Sequence, residues 1–294
     1  MLEDDKAVIH LGVAGALVPA GMRDVISTMI RSRMVDVIVS TGANLFHDYC
    51  EAVGFHHYLG SAEVDDTALR EARIDRIYDT YADDDELTEG VARIADFASK
   101  IEQREYSSRE FLALLGAGLK DESSLLATAA KERVPIYCPA LADSAIGIGV
   151  TKHIFEHGQT GLVINHILDN LEMCEIKRTA KRTAVILLGG GVPKNYINQA
   201  APMLECLGIE VEGHTYAVQV TTDDPKWGGL SGCTFEEAQS WGKVGQLSKF
   251  ATVYLDATIG LPILVSSALP RQPIERKRRI FQWSGHKLEG LVYE

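Results

Sequence analysis

The chain has 294 residues, of which 46% are hydrophobic and 24% charged, and its formal net charge is −12. That length buries a substantial α/β core, and the acidic balance excludes a general nucleic-acid binder, whose phosphate contacts need a basic footprint. Five scattered cysteines with no CxxC pair argue against a disulfide framework or zinc site and predict a reduced, cytoplasmic setting. Residues 1–6 are polar and no apolar run reaches membrane length, so neither signal peptide nor membrane anchor is expected.

The first predicted element is a helix over Gly21–Arg33, carrying Met22, Val25, Ile26, Met29 and Ile30 at three- and four-residue spacing. A buried strand, Met34–Ser40, runs into Thr41-Gly42-Ala43. Residues 57–125 hold an acidic stretch (Asp65, Asp66, Asp83 to Glu86) and read as a solvated helical excursion. Val134–Cys138 is the next strand, followed by Pro139 to Asp143. His56-His57 and the i, i+4 pair His153/His157 lack a third ligand at suitable spacing, so they read as surface histidines and no metal is expected. Strands are predicted at Gly161–Ile164, Thr183–Leu188, Thr215–Val220 and Ala251–Leu255, with a helix over 166–180. Arg276-Lys-Arg-Arg279 reads as a basic run on a helical tail, suited to a surface or subunit contact.

Near-continuous apolar strands separated by helices indicate a mostly parallel sheet covered on both faces. The expectation is one domain over residues 1–294, a doubly wound α/β fold with a helical excursion. Ligands in such folds gather at the carboxyl ends of strands. Thr41, Asp143, Gly189-Gly190-Gly191, Thr222 and Asp256 follow strands. Three glycines before a helix let backbone approach a pyrophosphate, although a tight structural turn explains them nearly as well. Asp143 and Asp256 read equally as ribose acceptors or helix N-caps.

Glu237-Ala-Gln-Ser-Trp241-Gly242-Lys243 is the most chemically suggestive segment. A dry aromatic pocket favours the neutral amine of a lysine, which then attacks a carbonyl or imine carbon. Trp241 offers such a wall, and Glu237 a partner for the proton. No Walker sequence, nucleophile elbow or Ser-His-Asp arrangement accompanies it.

Taken in order, Met34 to Thr41, Pro135 to Asp143, Ile186 to Lys194, Tyr216-Ala-Val, Ser231-Gly232, Glu237 to Lys243 and Val253 to Thr258 resemble the deoxyhypusine synthase family. The resemblance spans about residues 12–50 and 110–265, and Ser-Trp-Gly-Lys is its most specific motif. It implies a Rossmann-like homotetramer with active sites at a dimer interface, acting on small-molecule amines with NAD as hydride acceptor. It further implies that Lys243 is the imine-forming nucleophile, Trp241 a pocket wall and Glu237 a partner of the cationic amine. NAD contacts are implied for Thr41, Asp143, Gly190, Gly191, Thr222, Ser231 and Asp256.

Departures from the family pattern concern the donor's amine end. Two family aspartates are Ile148 and Leu230 here, a histidine is Asn195, and a glutamate pair is Phe46-His47. Loss of two carboxylates should weaken binding of an ammonium considerably. The expected activity is therefore transfer of a four-carbon aminobutyl or guanidinobutyl group from a spermidine- or agmatine-type donor to a small amine, giving a homospermidine-like product. Deoxyhypusine synthesis on a translation-factor lysine and a non-catalytic NAD-binding sensor are the alternatives.

Overall fold

Six parallel strands form one sheet in the computed structural model, which describes residues 1–158, 161–271 and 276–294. They are β1 (Ala7–Val13), β2 (Val37–Ser40), β3 (Ile136–Tyr137), β4 (Arg182–Leu188), β5 (His214–Thr221) and β6 (Val244–Tyr254). Their order across the sheet is β6-β5-β4-β1-β2-β3, and every neighbouring pair is parallel. Strand addition therefore changes direction between β1 and β4, which opens a crevice where their carboxyl ends diverge.

Alternation of side chains puts a core on each face. Ile9, Leu11 and Val13 point into one cluster with Ile26, Ile30, Leu45 and Phe111. Val8, Val37, Val39, Val185 and Leu187 point into another with Met173, Ile197 and Phe235. Burial on both faces is why these strands read as unbroken apolar runs.

The central strand β1 does not appear among the sequence expectations. Its apolar run is interrupted by His10 and Gly12, yet His10 is 1% exposed. Gly12 leaves room for Leu187, whose Cδ2 would lie 2.9 Å from a Cβ placed there. Gly161–Ile164 is a correction of the opposite kind. Only Val163–Ile164 is extended, and it pairs with Glu105–Tyr106 outside the main sheet. His153, expected at the surface, is buried and hydrogen-bonded to Gln103.

The excursion is more than helical. His57–Leu59, Thr80–Asp83 and Ile74–Ile77 make a small antiparallel sheet. The acidic run then begins the helix Asp84–Lys100, where Asp83 caps the N-terminus by accepting from the backbone N–H groups of Asp85 and Glu86. Acids in a first helical turn sit favourably against the helix dipole.

The three arginines of the basic run are buried and only Lys277 of the four is exposed, contrary to a helical surface tail. Arg276 pairs with Asp36 at 2.7 Å, Arg278 with Glu132 at 2.6 Å, and Arg279 donates to the Asp5 carbonyl at 2.8 Å. Arg279–Ser284 and Lys287–Tyr293 then form an antiparallel hairpin. Among the described residues, no helix is long and apolar enough to cross a membrane.

Candidate active site

The glycine turn after β4 lies at the crevice. Gly189 and Gly191 have positive φ values of 69° and 54°, which glycine adopts without steric cost. Gly190 is held for another reason: a Cβ there would lie 2.3 Å from Ser231 Cα. The Gly191 N–H donates to Ser231 Oγ at 3.2 Å, so the turn and the Ser231 loop are locked together. Gln219, buried on β5, donates to the carbonyls of Gly189 (2.9 Å) and Ser231 (2.8 Å) and accepts from Lys194 Nζ at 2.9 Å. At the end of β1, Gly15 also has positive φ, and nothing lies within 4 Å of the place a Cβ would take at Gly15 or Gly191.

Thr41 anchors the Gly15 loop. Its Oγ1 donates to the Gly15 carbonyl at 2.7 Å and caps the helix Gly42–Ala52, while Asn44 donates to the same carbonyl and accepts from the Val18 N–H. Asp256 caps the helix Ala257–Ala268 through Thr258, whose side-chain and backbone hydrogen bonds hold the carboxyl below its usual range. Asp143 is exposed and is not a cap; Ser144 caps the helix Ala145–His157 instead. Thr222 is exposed just beyond β5.

Lys243 lies before β6, at the amino edge of the sheet, where its carbonyl accepts from the His214 N–H at 3.0 Å. Its side chain is half-buried and reaches Asn195, in the first turns of the helix Gly191–Cys206, with Nζ donating to Oδ1 at 3.1 Å. Nζ lies 5.4 Å from the centre of the Trp241 ring. Trp241 is 61% exposed, so one chain does not form the dry aromatic wall that the motif led us to expect. Thr234 caps the short helix Phe235–Ser240 by accepting from the Glu237 N–H, leaving the Glu237 side chain at the surface.

Lys194 is the residue that sequence reasoning missed. It is 2% exposed, and its ammonium donates to Gln219 Oε1 and to the Cys233 carbonyl. Burial pushes its pKa down, Glu237 opposes this, and Lys243 adds to it. Two lysines are thus close enough to interact at one site. The only sequence signal was a lysine six residues beyond a strand end.

The predicted residues fall into separate groups. Gly190, Gly191 and Ser231 pack together, as do Lys243, Trp241 and Asn195. Among the described residues, Thr41, Asp143, Thr222, Asp256, His47 and Ile148 make no hydrogen bond, ion pair or ring contact with Lys243 or Trp241. Ile148 (57%) and Leu230 (45%) are exposed. His47 bonds to His57, 2.8 Å from His47 Nδ1 to His57 Nε2, and burial beside that second ring lowers its pKa to about 4.

Comparison with known proteins covers most of the chain. The deoxyhypusine synthase family model matches residues 1–268. The "Probable deoxyhypusine synthase 2" of Methanosarcina acetivorans is 47% identical over 300 aligned residues, covering 100% of this chain and 86% of that protein. A "Deoxyhypusine synthase-like protein" of Chlorobaculum tepidum is 42% identical over 274 residues, covering 91% and 78%. The fold is shared with the crystal structure of a "putative deoxyhypusine synthase" from Entamoeba histolytica, with a TM-score of 0.65 at 19% identity over 96% of this chain and 79% of that one. With the family model matched over residues 1–268 and relatives 42–47% identical over most of its length, the chain belongs to the deoxyhypusine synthase family.

Proposed function

We propose that the protein is an NAD-dependent aminoalkyl transferase that carries a four-carbon group as an imine on Lys243. The observation that carries this is the placement of Lys243 Nζ against Asn195 and beside Trp241, on the helix that leaves the glycine turn. We read the sheet as Rossmann-like, supported by its order and by the crossover between β1 and β4.

The residues at that crossover fit a dinucleotide. Open space beside Gly15 and Gly191 and the start of the helix Gly191–Cys206 suit a pyrophosphate, and Thr222 and Asp256 lie just beyond the ends of the neighbouring strands. NAD, when bound, takes a hydride from the donor's amine carbon and later returns it. Lys243 Nζ then forms the new C=N bond as the donor's remaining amine leaves, and the acceptor amine displaces Lys243. Asn195 orients Nζ, Trp241 walls the carbon chain, and Glu237 faces the cationic end.

Assembly into a homotetramer with sites between subunits belongs to the same proposal. Its support is the exposure of Trp241, Tyr254, Ile259 and Ile263. A second copy covering these side chains would supply the dry wall that one chain lacks.

Ile148 and Leu230 favour a small-amine reaction with a homospermidine- or guanidino-type product. Incubation with NAD and pairs of candidate amines, followed by mass spectrometry, tests this; a new secondary amine is expected, and none from any pair overturns it. Borohydride should trap an adduct on Lys243 that Lys243→Ala abolishes. The second reading, aminobutyl transfer to a translation-factor lysine, has its support in the archaeal relatives named as deoxyhypusine synthases at 46–48% identity. Labelling of the cognate factor by radioactive spermidine would favour it.

A further inference from the structure

Glu51, His57 and His47 form a hydrogen-bonded chain for which imine chemistry on Lys243 does not account. Glu51 Oε1 accepts from the His57 backbone N–H at 3.0 Å and from its ring Nδ1 at 2.7 Å. His57 Nε2 lies 2.8 Å from His47 Nδ1, with the rings edge to face at 4.8 Å between centroids. An ionised carboxylate only accepts, so His57 Nδ1 carries a hydrogen. In neutral His57 the Nε2 is then a lone pair, and His47 must donate from Nδ1. That leaves His47 Nε2 as a lone pair, with no hydrogen bond within the chain among the described residues.

We propose that Glu51, His57 and His47 are a proton relay that takes the proton of a substrate ammonium at His47 Nε2. This rests on the reading of the protein as an amine-transforming enzyme, because hydride leaves the carbon beside a neutral nitrogen. The ammonium R–NH3+ becomes R–NH2, and its proton bonds to His47 Nε2. The Nδ1 proton of His47 passes to His57 Nε2, and no electrons are gained or lost. The positive charge comes to rest on His57 against the Glu51 carboxylate. His47 is the catalytic residue; His57 and Glu51 are positioning residues.

Electrostatics explain why one histidine does not suffice. Burial opposes a charge on His47, whose pKa falls to about 4. At Glu51 burial favours the neutral acid, but the hydrogen bonds from His57 prevail and hold the carboxyl at about 2. A proton arriving at His47 is therefore stabilised only when passed one ring further. Of the other charged groups on adjoining elements, His56 shares the Glu51 carboxylate and the rest are engaged elsewhere. Asp48 is bound by Arg23 and Ser124, Glu86 accepts from the His56 N–H, and Arg93 pairs with Glu89. Lys152 pairs with Glu156, and His56 Nδ1 lies 3.5 Å from Glu51 Oε2. The competing role is structural, with Glu51 merely fixing the turn before His57.

Long-range 1H–15N spectra of histidine-labelled protein at neutral pH separate the two. Wild type should show His47 with its hydrogen on Nδ1, and His57→Gln should mix the tautomers. A hydrogen on Nε2 of His47 in wild type overturns the relay. Addition of spermidine or agmatine to the labelled protein adds a functional arm. His57 of wild type should take on a second ring proton as the amine binds, and Glu51→Gln should reduce that gain with binding retained. A His57 that binding leaves neutral overturns the relay but leaves the amine-transferase reading standing. If no amine binds wild type, that reading falls, and with it the amine as proton source.

Discussion

Gly190 and Ser231 touch so closely that a methyl group on the glycine would lie 2.3 Å from Ser231 Cα. The contact joins the turn after β4 to the loop before the Trp-Gly-Lys segment. Neither Ser231 Cα nor its backbone can move aside without disturbing the Gln219 hydrogen bonds. Gly190→Ala should therefore destabilise the fold by ~1–3 kcal/mol, the usual range for overpacking. It should also weaken NAD binding by roughly ten-fold, about 1.4 kcal/mol. Thermal unfolding and NAD titration check both.

Asn195 is a neutral partner for Lys243. A carboxylate in its place would pair with the ammonium and hold the amine protonated. Asn195→Asp should slow imine formation by roughly ten-fold and Asn195→Ala less, since alanine loses orientation but adds no charge. The rate of borohydride-trapped adduct on Lys243 measures this.

Lys177 gives a pH signature independent of the site. It is buried, donating to Thr183 Oγ1 at 2.6 Å, and burial lowers its pKa from 10.5 to about 7. Between those values the unfolded chain holds the extra proton, so stability rises with pH over that window. Below about 7 both states are charged and the full cost of burying the charge is present. His10, held near 4 chiefly by burial and next by Lys177, adds a further loss as pH falls from 6.5 towards 4. Lys177→Met should raise stability at pH 6 by ~1–2 kcal/mol and flatten the slope between 7 and 10.5. Urea unfolding at several pH values measures both.

Arg276 and Asp36 are a buried ion pair, 2.7 Å apart, and Asp36 also accepts from the Ile9 N–H at 2.8 Å. Removing the cation leaves a carboxylate without its counter-charge inside the core. Arg276→Met should cost ~3–5 kcal/mol, and adding Asp36→Asn should recover part of that loss. Chemical denaturation of the two single variants and the double variant closes the cycle.

We place Ile148 and Leu230 at the donor's amine end, where the family resemblance implies acids in protein-modifying members, and both are exposed enough to accept a charge. Ile148→Asp with Leu230→Asp should favour donors with a distal ammonium, lowering KM for spermidine by roughly ten-fold. An unchanged KM would remove these positions from the amine end of the site.

Much of this architecture could be read from local pattern, because strands buried on both faces announce themselves as apolar runs. β2, β4 and β5 are of that kind, and the glycine turn follows from its place after one of them. β1 escaped because a histidine and a glycine interrupt it; His10 is tolerated there as a neutral ring, and Gly12 makes room for Leu187. The basic run misled because its partners are remote: Asp36 lies 240 residues from Arg276, and Glu132 lies 146 from Arg278. At the site, Lys243 and its motif were legible, but their relation to Asn195 spans 48 residues and depends on how the helix Gly191–Cys206 leaves the sheet. Glu51, His57 and His47 are close in sequence, yet nothing in their spacing indicates that a turn would fold them into one chain.

The separation of Asp36 from Arg276 also has a temporal meaning. A ribosome adding ~5–20 residues per second needs roughly 12–50 s between making the carboxylate and making its guanidinium. During that interval β1 and β2 can pair only around an unneutralised charge. Nascent chains should therefore keep this edge of the sheet open to chaperones, and the core should seal only when Arg276 emerges from the exit tunnel.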